Sequence, residues 1–160
     1  MKQVFLLLGL LTWQICYAQP KSSAEADTMN VFLDLAKTTG YEGKKLSVLS
    51  EYFKARHTKI HYFSFNSTSP YIDPKGKCYL KRIQVGYLTA KEMDYRVSNE
   101  NKWVLILDIT LEPPYTVDTD MLLHCYPLGD TRIDAERRFA MIQDKFTIKS
   151  IKCWYIRPMK

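Results

Sequence analysis

After the first few residues, no stretch of the chain is apolar for long enough to cross a bilayer. No segment repeats and none is of low complexity, so a multi-span membrane protein and a repeat array are excluded. Glycine is scarce, 6 of 160 residues, which excludes a collagen-like rod. Neither sign of charge is in large excess: 23 Lys and Arg against 17 Asp and Glu, mixed along the chain, leave a net +6. With 46 % apolar and 25 % charged residues the profile is globular rather than disordered, and 160 residues leave no room for a second sizeable core. A catalytic motif is also missing, so function has to come from fold, compartment and resemblance. Aromatic residues, by contrast, are plentiful. The 11 Tyr, 7 Phe and 3 Trp favour a β-rich core or a lined pocket.

The N-terminus reads as an address. Met1-Lys2 is a short basic start, and Val4 to Trp13 is an apolar run too short to span a membrane. Cys16-Tyr17-Ala18 places small residues where a signal peptidase needs them, so residues 1–18 are expected to leave as a signal peptide and 19–160 to form one secreted domain. Secretion puts the remaining Cys78, Cys125 and Cys153 in an oxidising compartment; three is odd, so one disulfide and one leftover thiol are expected. Asn66-Ser67-Thr68 is a glycosylation sequon, meaningful in a eukaryotic source.

Ser22 and Glu25 suit a capping box, and Met29, Phe32, Leu33 and Ala36 follow helical spacing, which predicts a helix over 24–38 stopped at Gly40. A second helix is expected from Lys44 to Ala55, folded back on the first or forming a bent pair with it. Lys59 to Phe65 reads as an aromatic strand, 66–76 as a loop, and Lys77 to Leu88 as one long strand bulged near Gly86. Glu92 to Val97 and Lys102 to Leu111 read as the arms of a hairpin turning at Ser98-Asn99-Glu100-Asn101. In the second arm Trp103, Leu105, Leu107, Ile109 and Leu111 share one face and are expected inside, with Asp108 on the other face and outside. Pro113-Pro114 ends that strand. Thr119 to Tyr126 follows as a strand, Ile133 to Gln143 as a helix, and Thr147 to Ile156 as a last extended segment.

The chemically capable residues carry modest signals. His57 and His61 are four apart, but they straddle a helix-to-strand boundary, and His124 would come from a distant strand, so no metal site is expected. His124 and Cys125 are adjacent on a strand and point to opposite faces, so they form no catalytic dyad. The C-terminal third is basic, with Arg132, Arg137, Arg138, Lys145, Lys149, Lys152, Arg157 and Lys160, yet Asp134, Glu136 and Asp144 stand among them as on a solvated face.

One stretch resembles a known family. A helix leads into His61-Tyr62-Phe63-Ser64-Phe65, a Pro/Asp/Gly loop follows, and Gly76-Lys77-Cys78 opens the next strand; Lys91-Glu92-Met93-Asp94-Tyr95-Arg96-Val97 and Asn101-Lys102-Trp103 come after it. This resembles the tick salivary lipocalins, the histamine-binding-protein family, over residues 44–112 and the C-terminal tail. The resemblance implies an α+β, mainly antiparallel fold: a lipocalin-like barrel, closed or else shortened and open, with N-terminal helices and one late helix. It implies a Cys78–Cys153 disulfide with Cys125 left over. It also implies a monomeric, non-enzymatic protein that sequesters a host inflammatory mediator without a cofactor, nucleic acid or membrane as partner. The family's amine-binding members carry Cys-Asp and a later Glu-hydrophobic-Trp. Here Cys125 precedes Tyr126-Pro127 and Glu136 precedes Arg137-Arg138, so a lipid mediator is expected over a biogenic amine. Tyr62, Tyr79, Tyr95 and Trp103 are the candidate lining, with Arg82 or Arg96 as partner of an acidic head group. Two other readings remain open: a secreted α+β domain binding a protein or a sulfated polymer through its basic surface, and a small enzyme with an NTF2-like cone, whose acid/base pair the sequence does not reveal.

Overall fold

The computed structural model describes residues 22–65, 71–117 and 135–158. Ser22 caps helix α1 (Ser23–Lys37), its hydroxyl accepting from the Glu25 amide at 3.2 Å. The apolar stripe of α1 buries Phe32 and Leu35. Helix α2 (Ser47–Ala55) turns back on it: Phe32 and Phe53 stack at 4.9 Å, and the Tyr52 hydroxyl donates to the Val31 carbonyl.

The extended elements are β1 (Tyr62–Phe65), β2 (Tyr71–Ile72), β3 (Cys78–Tyr79), β4 (Arg82–Gly86), β5 (Val104–Leu111) and β6 (Ile148–Ile156). They form a four-stranded antiparallel sheet in the order β1-β4-β5-β6 and a separate hairpin of β2 and β3. Helix α3 (Ala90–Ser98) links β4 to β5, and helix α4 (Ala135–Ile142) precedes β6. The architecture is therefore α+β with a mainly antiparallel sheet. Among the described residues that sheet does not close, and β1 and β6 stand at its two ends.

Register explains the core. Phe63 and Phe65 face the same way as Ile83 and Val85, and these align with Ile109 and Leu107. That face is buried, and Phe139 of α4 meets Phe63 edge-on at 6.4 Å. Meanwhile α1 lies against β5 and β6.

Four expectations are corrected. Glu92 to Val97 is helix α3, not a hairpin arm: Thr89 accepts from the Glu92 amide while the Glu92 carboxylate accepts from the Thr89 amide, a complete capping box. The long strand from Lys77 to Leu88 is instead β3 and β4, in two different sheets. Asp108 is buried, because its face of β5 also carries Val104 and Ile106; a run apolar on both faces is covered on both. Cys78 and Cys153 are not joined, since Cys78 pairs with Ile72 in the small hairpin and Cys153 with Leu107 in the main sheet. The signal segment, Asn66, the strand 119–126, His124 and Cys125 lie outside the described residues.

Candidate functional site

Two clefts meet at one short segment. Thr58 donates its amide to the Phe53 carbonyl at 3.0 Å and ends α2, and His57 beside it takes a left-handed φ of 51°. The chain then crosses to β1, where the His61 amide donates to the Gly86 carbonyl at 2.9 Å. On one side of this segment lies a cleft of about 660 Å³, bounded by the first turns of α1, by α3 and by Tyr87-Leu88. On the other lies a groove of about 530 Å³ between α2 and α4. His57, Thr58 and Lys59 line both.

The first cleft brings together Tyr95 and Arg96, two of the six residues expected to bind ligand. They sit on successive positions of α3, so they point differently. Tyr95 is 52 % exposed and Arg96 is buried. Arg96 forms an ion pair with Glu25 of α1, one Nη donating to Oε2 at 2.6 Å. Glu25 thus does not complete a capping box with Ser22; its carboxylate crosses the cleft instead. Burial works to lower the Arg96 pKa, but the hydrogen bond and charge of Glu25, with Tyr87 and Glu100 nearby, leave it raised. Burial, with Glu25 close by, pushes the Tyr87 phenol up to about 12, so it stays a neutral hydroxyl at neutral pH. Glu92 is held below the usual carboxylate range by the backbone and side-chain hydrogen bonds of Thr89. The two carboxylates of this cleft are therefore already engaged. Lys59 and Lys91 are exposed, line the same cleft and form no ion pair among the described residues. The cleft accordingly presents two ammonium groups, two imidazoles and a Tyr/Leu wall.

The other nominated residues lie elsewhere. Tyr62 and Arg82 share one face of the sheet, Tyr62 opposite Gly86 and Arg82 opposite Thr110. Arg82 Nε stands 3.4 Å from Asp108 Oδ2. Burial raises the Asp108 pKa despite Arg82 and Lys152. Tyr79 belongs to the β2–β3 hairpin, its ring 6.2 Å from that of Tyr71 and its hydroxyl 3.4 Å from Asp73. Trp103 precedes β5 and lies 4.8 Å beneath the Arg157 guanidinium. No group of three His, Cys, Asp or Glu residues able to hold a metal occurs among the described residues.

Sequence reasoning did not nominate Glu25, Lys59, Tyr87 or Lys91. One signal was present: Thr89 followed three residues later by Glu92 is a capping-box pattern, and reading it as a helix start puts Lys91 and Tyr95 four apart on one face. Comparison with known proteins gives no match: no family model, no curated protein and no solved structure aligns significantly with the chain.

Proposed function

We propose that the chain is a secreted, non-enzymatic binding protein, lipocalin-like in character with a shortened, open sheet, that sequesters a small, largely apolar molecule bearing an acidic head group. The cleft beside α3 carries this reading. Its volume of about 660 Å³ falls within the range of small-molecule sites. Its free charges are Lys59 and Lys91, and its carboxylates are committed to Arg96 and Thr89. An ammonium ligand would meet two like charges and no unengaged carboxylate, whereas a carboxylate would meet two cations and the neutral Tyr87 hydroxyl. The head-group role assigned to Arg96 passes to these lysines, because Arg96 is already paired. Among the described residues no helix is long and apolar enough to cross a membrane.

Native mass spectrometry of the secreted protein should reveal a co-purified acidic lipid. Calorimetry should show a medium-chain fatty acid binding more tightly than histamine, with Lys59→Glu and Lys91→Glu each weakening it. Sub-micromolar histamine binding with no fatty-acid binding would overturn the proposal.

A further inference from the structure

The groove on the far side of the His57–Lys59 segment has a regular construction. From α2 it is lined by Ser50, Phe53 and Lys54, with His57 just beyond the helix end, and from α4 by Glu136, Phe139 and Ala140, with Gln143 just beyond that helix's end. Each set has the spacing i, i+3, i+4, i+7, so each helix presents a single stripe. The stripes are joined where the Ser50 hydroxyl donates to the Gln143 side-chain carbonyl and the Ser47 amide donates to the Gln143 backbone carbonyl at 3.1 Å. Two turns away the groove opens at His57–Lys59, which also line the charged cleft. The stripe spans about 10 Å at 1.5 Å per residue.

We infer that this groove is the seat of the hydrocarbon tail of the same ligand, so that the two clefts form one site for a long-chain, single-headed anionic amphiphile. The inference rests on the reading of the charged cleft given above. Polarity changes along the path in the order such a molecule requires. Lys91 comes first, then the His57–Lys59 segment common to both clefts, and then Phe53, Ile60, Phe139 and Ala140, with the Ser50–Gln143 hydrogen bond beyond them. Lys54 and Glu136, exposed and of opposite charge, offset each other within the groove, so its remaining positive charge is Lys59 at the segment shared with the charged cleft.

The test compares octanoate with oleate on the full secreted chain, by calorimetry. The substitution Ala140→Trp fills the groove from an exposed position on α4, and Glu136→Trp on the same stripe serves if the first variant melts early. We expect oleate to lose at least about tenfold in affinity, the effect of excluding about two methylenes, while octanoate changes less than about twofold. Lys91→Glu should weaken both. If oleate and octanoate both bind and neither responds to a filled groove, the single elongated site is refuted while the charged cleft stands. If neither binds the unaltered protein, the cleft reading fails and this inference with it.

Discussion

Arg96 and Asp108 show what a charge does when the fold covers it. Arg96 is 5 % exposed and its partner Glu25 comes from a helix 71 positions away in sequence. Removing one member of such a pair strands the other, at a cost of about 3–5 kcal/mol. Arg96→Met should therefore lower stability by that order in urea unfolding, and adding Glu25→Gln should restore part of the loss; additive effects would mean that the two groups are not coupled. Asp108 has a different balance. Burial raises its pKa in the folded state above that of the unfolded chain, so the stability it contributes is full in acid and is lost as pH rises through the folded value. Asp108→Asn should raise the melting temperature at pH 7, with the gain shrinking as pH falls toward 4. Arg82, partly exposed, keeps access to water after the change. A gain that grows in acid would reverse the sign of this argument.

At the level of elements, legibility followed how faithfully each segment advertised its buried side. Helix α1 was readable because Met29, Phe32, Leu33 and Ala36 keep helical spacing behind Ser22, although the side chain it buries beside Phe32 is Leu35 and the others are only partly covered. Helix α3 was misread because its buried stripe holds Met93 and Arg96, and an arginine at a core position breaks the apolar period; the alternating Met93, Tyr95 and Val97 then mimic a strand. The alternation along β5 assigned faces correctly but not burial, since Val104 and Ile106 make its second face apolar too. The local cap was the better guide to α3. Thr89→Ala should cost about 0.5–2 kcal/mol by removing one arm of the capping box. Because Glu92 is held below the ordinary carboxylate range, the stability its ionised form contributes is present at neutral pH and lost as pH falls through its folded pKa. The Thr89→Ala penalty, read from thermal melts, should accordingly be larger at pH 7 than at pH 3.

For the whole molecule, the site was legible only in outline. Tyr95 and Arg96 were nominated and lie together in the charged cleft, but Glu25, the His57–Lys59 segment and Tyr87 reach it from elements that only tertiary packing brings together. That construction makes ligand binding a matter of global stability. A molecule gripped by Lys59 and Lys91 joins the segment before β1 to α3, and it can bind only when both are in place. At a free concentration of about 100 times Kd, such a ligand stabilises the native state by about 2.7 kcal/mol. For a domain of this size that is a rise of about 5–10 °C in Tm. Octanoate should produce the rise and histamine should not. The double variant Lys59→Glu/Lys91→Glu should melt close to the unaltered protein without ligand, because both side chains are exposed and form no ion pair among the described residues, where substitutions usually stay within about 0.5 kcal/mol. With octanoate it should show no rise. A double variant that still gains the full shift would place the acidic head elsewhere, with the Arg82 side of the sheet the next position to test.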